Sequence, residues 1–266
     1  MRTCIVTGAT EGIGFYTALD LAKAGFAVGV HGRNEAKAAK ACAALKDQVP
    51  RGEFVPLWGD LSSLSQVRTL AKQAAEKFPR LDVLVNNAGV FMNERVLTGD
   101  GLETTMAVNH FAPFLLTALL RPALERAPAA RVVNVSSMAH GNGRVDLKDL
   151  NFDKRYDGYA AYSASKAANV LFTHALARRL EGTQVTTHAL HPGVISTKLL
   201  HQGFGAGGAR TESGSKTSVY VATAKELAGK TGLYFSDARE VPCGKHVNDR
   251  ALEEGLWEAS VKATGL

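Results

Sequence analysis

Long apolar runs are missing from this chain. No hydrophobic stretch approaches the roughly 18 consecutive residues that a membrane helix needs, so a helical membrane protein is not expected. The opening Met1-Arg2-Thr3-Cys4-Ile5-Val6 lacks the charged region, apolar core and cleavage site of a secretory signal and reads as a first strand. A cytoplasmic location is the resulting expectation. Cysteine is scarce: Cys4, Cys42 and Cys243 lie far apart with no Cys-x-x-Cys pair, which argues against a disulfide framework or a zinc site. No His-Glu-x-x-His arrangement occurs among the eight histidines, and no metal is expected. A concentrated charge of one sign is also missing. The formal net charge is +6, but Lys and Arg are scattered, and short clusters such as Arg178-Arg179 suit solvated helix faces better than a nucleic-acid stripe. A weak positive field still favours an anionic ligand.

What the chain does have is alternation. Short β-branched runs near 2–7, 26–31, 53–58, 82–86, 131–136 and 184–190, and a last one near 232–235, are separated by helical patterns. Those patterns lie near 12–24, 34–47, 63–78, 102–126 and 160–181. Such alternation predicts an α/β protein with a doubly wound parallel sheet of about seven strands and helices on both faces. No Pro/Ser-rich linker divides it. Residues 1–266 read as one domain, with a cofactor-binding part over about 1–130 and a catalytic part over about 131–266. The stretch Gly203-Phe204-Gly205-Ala206-Gly207-Gly208 reads as a flexible loop.

The first strand runs into Thr7-Gly8-Ala9-Thr10-Glu11-Gly12-Ile13-Gly14 and then an Ala/Leu-rich helix. Glycines here let the backbone turn tightly and let N–H groups approach a pyrophosphate, while the helix N-terminus offers unpaired donors and the positive end of its dipole. Glycines alone are a weak signal, but the strand-loop-helix context strengthens it.

At this spacing the loop resembles the cofactor motif of the classical short-chain dehydrogenases/reductases, a Rossmann-fold family, and further motifs follow in the family's order. Asp60-Leu61 ends the third strand, where the resemblance implies contact with adenine. Asn86-Asn87-Ala88-Gly89 ends the fourth, where the resemblance implies that it steadies the sheet and lines the cofactor, through Asn87, Ala88 and Gly89. Asn109, Ser137 and the pair Tyr162/Lys166 correspond to the family's catalytic tetrad. Pro192-Gly193-Val194-Ile195 and Thr197 stand where the family positions the nicotinamide. The resemblance therefore implies that Gly8, Thr10, Glu11, Gly12, Ile13 and Gly14 bind cofactor along with these segments, and that Tyr162 and Lys166 touch it too. Homodimers or homotetramers are common among such proteins, so either is expected here.

An acid after the second strand would accept hydrogen bonds from the ribose of NAD. Here Gly32 stands at that place and Arg33 follows. A guanidinium can grip a 2′-phosphate through paired, charge-assisted bonds, so NADP(H) is the expected cofactor, with NAD(H) the alternative. Arg33 could instead simply open a solvated helix capped by Asn34, and Lys37 one turn on could assist or stay on the surface.

Tyr162 and Lys166 are four residues apart on a helical pattern and so share one face. A tyrosine of ordinary pKa, about 10, is a poor base at neutral pH. A neighbouring ammonium, with an oxidised nicotinamide, is expected to lower it, so that Tyr162 exchanges a proton with an alcohol or carbonyl. Ser137 would hold the substrate oxygen, and Asn109 would support a proton relay through Lys166. Tyr156 and Tyr159 are nearby, but Ala160 and Ser163 stand where a partner lysine would be needed.

The insert between Ser137 and Tyr162, with Gly232-Leu233-Tyr234-Phe235-Ser236, further resembles the retinol dehydrogenase-like branch. It also resembles the oxidoreductase part of the WW-domain-containing oxidoreductases; neither WW domains nor the membrane anchor that many retinol dehydrogenases carry is expected here. Ser137, Met138, His140, Tyr162, Leu199 and Leu200 are expected to contact a moderately hydrophobic carbonyl or alcohol, with Lys198, His201, Gln202 and Phe204 nearby and the glycines that follow allowing a mobile lid; His140 and His201 could instead be ordinary polar loop residues. Two rival readings are a catalytically silent NADP(H)-sensing protein and a nucleotide-sugar epimerase or dehydratase. The intact tetrad weighs against the first, and the short stretch after Thr197 weighs against the second.

Overall fold

The computed structural model describes residues 1–205 and 207–266; the expectations for Ala206 and for the side chains of Gln202 and Phe204 lie outside the described residues. In chain order the elements begin β1 (Arg2–Val6), α1 (Gly12–Lys23), β2 (Phe26–Gly32), α2 (Glu35–Gln48), β3 (Glu53–Trp58) and α3 (Leu64–Lys77). They continue with β4 (Val83–Asn86), α4 (Thr104–Met106), α5 (Ala112–Glu125), β5 (Ala130–Val135), α6 (Gly158–Arg179) and β6 (Val185–His191). The chain closes with α7 (Lys198–Phe204), α8 (Ser215–Thr223), β7 (Leu233–Ser236), β8 (Arg239–Glu240) and α9 (Arg250–Thr264).

The strands form one sheet in the order β3-β2-β1-β4-β5-β6-β7-β8, parallel except for the last pair. The expected seven strands are present. The eighth is two exposed polar residues, too short to carry any alternation a reader of sequence could use.

The period-2 pattern explains the layering. Cys4, Val6, Val28, Val30, Val83, Val85, Val133 and Val135 turn to one face and pack on α1, α2 and α8 through Leu19, Leu21, Leu45 and Val221. Ile5, Ala27, Leu84 and Val132 turn to the other and meet α3, α5 and α6 through Leu70, Leu115, Leu116 and Phe172. Because β1 is followed outward by β2 on one side and β4 on the other, the strand order reverses at β1/β4. In open parallel sheets that reversal opens a crevice at the carboxyl ends of the strands.

The helical pattern near 102–126 is not uniform. Between α4 and α5 the residues Ala107–Phe111 form a π segment, and Ala112 N–H reaches back to Ala107 O. A local signal for it was available. Pro113 has no N–H, so an α-helix there would leave the Asn109 carbonyl without its usual partner, and π segments of this kind gather at functional sites.

Buried histidines give the fold a pH dependence. Burial, as the leading cause, lowers His31 to about 4, His110 to about 3 and His188 to about 4. The unfolded chain, near 6.5 for each, therefore binds more protons between those values. Stability contributed by the neutral rings is full above about pH 6.5 and is lost as pH falls towards 4. Calorimetry at descending pH should record a falling Tm from about pH 6.5 down; an unchanged Tm from neutral to pH 5 would contradict this.

Candidate active site

The glycine loop crosses the crevice at the β1/β4 reversal. Gly8 and Gly12 have left-handed backbones (φ 63° and 61°) that let the chain turn tightly between β1 and α1. Gly14 has no space for a side chain: a Cβ would stand 2.2 Å from Gly8 O and 2.4 Å from Asn87 Nδ2. The loop is pinned from beneath. Asn87 Nδ2 donates to Thr7 O (2.8 Å), and the Thr7 hydroxyl accepts from the N–H of Asn87 (2.9 Å) and Ala88 (3.0 Å).

His31, which the sequence reading left without a role, completes this support. Its Nδ1 accepts from Gly8 N–H at 3.0 Å, so Nε2 carries the proton donated to Gly59 O at 3.0 Å. The ring is thus neutral in its structural role. The α1 N-cap, Glu11, makes no side-chain cap bond, leaving the first-turn donors directed at the crevice.

Thr10, Gly32, Arg33, Lys37, Asp60 and Leu61 line the end of the cleft beside β2. Arg33 Nε lies 3.9 Å from Asp60 Oδ2 with most of its side chain exposed. Burial works to raise the Asp60 carboxyl, but hydrogen bonds from Ser62 and the Arg33 charge bring it below its usual range. Asn34 does cap α2, its Oδ1 accepting from Lys37 N–H at 3.0 Å. The helix-cap role of Asn34 and the cleft-facing position of Arg33 therefore coexist. A Cβ at Gly32 would meet Thr10 Cγ2 at 2.8 Å and Ala38 N at 3.0 Å, so the place where NAD enzymes keep an acid has no room for one.

At the opposite end Asn109, Ser137, Tyr162 and Lys166 converge. Asn109 Oδ1 accepts from Val90 N–H (2.8 Å), and its Nδ2 donates to Val90 O (3.0 Å) and to Ser165 Oγ (2.9 Å). Ser165 Oγ in turn donates to Tyr162 O (2.7 Å). Gly89 allows this crowding, since its absent Cβ would lie 3.3 Å from Lys166 Nζ. Lys166 Nζ donates to Val135 O (3.0 Å) and stands 5.6 Å from the centre of the Tyr162 ring. Ser136 is consumed by a bond to Lys166 O (2.7 Å), whereas Ser137 hydrogen-bonds the Tyr162 side chain.

Burial dominates the electrostatics of the pair. Burial pushes Tyr162 up to about 12, only partly offset by Ser137, and pulls Lys166 down to about 8. At neutral pH Tyr162 is therefore a phenol that can donate a proton, rather than a waiting phenolate.

Pro192, Gly193, Val194, Ile195 and Thr197 line the cleft above β6, and Thr197 caps α7 by accepting from Leu200 N–H (3.2 Å). Val194–Ser196 is clipped to Ala209 by two backbone bonds, and Lys198 forms an ion pair with Glu11 across the cleft mouth. Met138, Leu199 and Leu200 also line it.

His140 does not line it. That ring is buried against Tyr234, with centroids 4.5 Å apart, so it belongs behind Ser137 rather than against a substrate. The sequence reading missed Phe91, Met92 and Asn142, which line the cleft from loops with no motif of their own. Phe91 stacks near Tyr162 at 5.6 Å. Tyr159 lies at the mouth, where its hydroxyl accepts from Asn142 Nδ2 (3.1 Å). Tyr156 is turned away, donating to Met92 O (2.9 Å).

The whole forms one cleft of about 1180 Å³ that joins the glycine loop to the Tyr162 cluster. A glycine loop at a sheet reversal, leading to a buried Tyr–Lys pair, marks a fold of the Rossmann dinucleotide-binding type. Residues 2–204 match the short chain dehydrogenase model, and the chain belongs to that family, in its retinol dehydrogenase-like branch. It is 37% identical to human retinol dehydrogenase 12 over all of this chain and 87% of that protein. Mouse polyprenol dehydrogenase is 39% identical over 99% of this chain and 84% of that one. A solved structure of an uncharacterized protein from Mycobacterium paratuberculosis superposes with a TM-score of 0.84 at 33% identity, covering 100% of this chain and 94% of the other. The chain is accordingly an oxidoreductase of a family that acts on alcohol and carbonyl groups with NAD(P)(H). Among the described residues no helix is long and apolar enough to cross a membrane.

Proposed function

We propose that this protein is an NADPH-dependent reductase of apolar aldehydes or ketones, acting reversibly on the corresponding alcohols. The observation that carries the reading is the buried Tyr162, hydrogen-bonded to Ser137 beside Lys166, in a cleft continuous with the glycine loop. The chain's own residues fit the cofactor. Gly8 and Gly14 let the loop pack against Ala88 and Asn87, and Gly12 keeps the α1 N-terminus open, where a pyrophosphate would sit. Arg33 and Lys37 would hold a 2′-phosphate, and Asp60 and Leu61 the adenine. Ala88, Gly89 and Pro192–Thr197 would flank the nicotinamide, and Lys166 the adjoining ribose. When bound, the cofactor supplies or accepts the hydride.

The remaining steps belong to the protein. Ser137 orients the carbonyl oxygen. Tyr162 donates its phenolic proton to that oxygen as negative charge develops there. Lys166, still largely charged at neutral pH, stabilises the phenolate left behind. Asn109 is a positioning residue that holds the Val90 turn and, through Ser165, the Tyr162 segment of α6. Met138, Tyr159 and Val194, exposed at 63%, 42% and 47%, give the mouth an apolar rim. That rim suits a hydrophobic substrate, as do relatives named for retinol and polyprenol, both apolar alcohols.

The direct test is loss of NADPH absorbance on addition of apolar aldehydes and ketones. No consumption across the panel, with NADPH still bound, would favour a silent NADP(H) sensor instead. Cofactor choice has its own test. A charge-assisted bond contributes roughly 1.5–3 kcal/mol, so Arg33→Ala should weaken NADPH binding about tenfold or more and leave NADH binding little changed. Gly32→Asp is a poor probe, because its Cβ would displace Thr10 and the start of α2. Equal affinity of the unmodified protein for NADPH and NADH in calorimetric titration would overturn the preference.

A further inference from the structure

The backbone carbonyl of Ser137 is held with unusual force. Three donors converge on its oxygen: His140 Nδ1 at 2.7 Å, His140 N–H at 3.1 Å and the Tyr234 hydroxyl at 3.3 Å. A carbonyl oxygen has two lone pairs, and most satisfy one or two donors. Its side chain, meanwhile, is the hydroxyl that meets Tyr162.

His140 is itself fixed at every polar atom. Because Nδ1 donates to Ser137 O, Nε2 is the unprotonated nitrogen, and it accepts from Gly244 N–H at 3.4 Å. The His140 carbonyl accepts from His246 Nε2 at 2.9 Å. The ring lies on Tyr234, which β7 supplies. Thus the segment 244–246, far along the chain and outside the cleft, reaches Ser137 through one imidazole.

The geometry points to His140 as a positioning residue for the reaction: with Tyr234 it holds the Ser137 backbone so that the hydroxyl stays aimed at Tyr162 and the substrate oxygen. This rests on the role proposed above for Ser137. A hydroxyl on a short side chain follows its backbone closely, and a misplacement of about 1 Å at a reacting centre can cost about 10²-fold in rate. Losing one of three tethers should cost less than that. Neither residue touches the reacting atoms, so their effect must pass through Ser137.

A double-mutant cycle separates this from a general structural role. Initial rates of carbonyl reduction would be measured for His140→Leu, His140→Asn and Tyr234→Phe, each alone and combined with Ser137→Ala, with Tm and NADPH affinity alongside. His140→Leu should lower kcat roughly tenfold with NADPH affinity unchanged, and Tyr234→Phe a few-fold, on the scale of one lost hydrogen bond. His140→Asn keeps an N–H near the place of Nδ1 and should recover part of the loss. In the Ser137→Ala background all three should cost almost nothing.

If Ser137→Ala lowers kcat but the His140 and Tyr234 losses persist undiminished in that background, the positioning role is overturned while the proposed function stands. If Ser137→Ala leaves kcat unchanged, the role of Ser137 fails, and the positioning claim with it. Should His140→Leu not yield folded protein, the Tyr234→Phe cycle, which removes a single oxygen, decides the matter by the same criterion.

Discussion

Replacing Tyr162 by phenylalanine is expected to lower carbonyl turnover by about 10²–10⁴-fold, the usual contribution of a general acid, while NADPH affinity changes little. The ring would keep its place beside Phe91 and under Lys166, so packing is preserved and only the proton donor is lost. The phenol is protonated at neutral pH because burial holds it near 12. Reduction should therefore proceed from the resting state of the enzyme. Alcohol oxidation needs the phenolate and should rise with pH, gaining as the cofactor's positive ring adds to the Lys166 charge. Steady-state rates across pH, in both directions, check this. Half-maximal activity in Tyr162→Phe would remove the residue from the chemistry, and a dead Tyr159→Phe beside it would transfer the role to the tyrosine at the cleft mouth.

Gly14→Ala should have the second-largest effect, here on binding. The added methyl would stand 2.2 Å from Gly8 O and 2.4 Å from Asn87 Nδ2, both tied into the floor of the loop. Over-packing costs about 1–3 kcal/mol, and here the strain falls on the phosphate cradle, so NADPH affinity should drop by up to about 10²-fold. Gly141→Ala is the matched control, since its Cβ meets nothing within 4 Å. Calorimetric titration of the two variants measures the difference; an unchanged affinity in Gly14→Ala would mean that the loop is not the cradle.

Much of this was legible in the sequence, for physical reasons. Strands buried on both faces write themselves as β-branched runs, and the glycine loop is written by residues whose backbone or space admits nothing else. Tyr162 and Lys166 share a helix face by spacing alone. Other features were hidden because they depend on the fold. His31 reads as an ordinary strand residue until Gly8 and Gly59 close on it from two sides. His140 looked like a substrate contact, since adjacency to Ser137 in sequence says nothing of which way a ring turns, and the partner that claims it lies beyond residue 230. The desolvation of Tyr162 was likewise hidden, because the lysine is visible in sequence and the burial is not. The π segment was written only as a proline without an N–H to give.

The central claim is hydride transfer to a carbonyl with a proton from Tyr162. It is tested most directly with NADPH deuterated at its hydride-donating carbon and an apolar aldehyde that the protein consumes, with the alcohol analysed by mass spectrometry. Deuterium on the carbinol carbon, formed by the unmodified protein and reduced to background by Tyr162→Phe, is the result expected. Alcohol formed without deuterium, or NADPH that binds tightly and is never oxidised by any aldehyde or ketone offered, would contradict it.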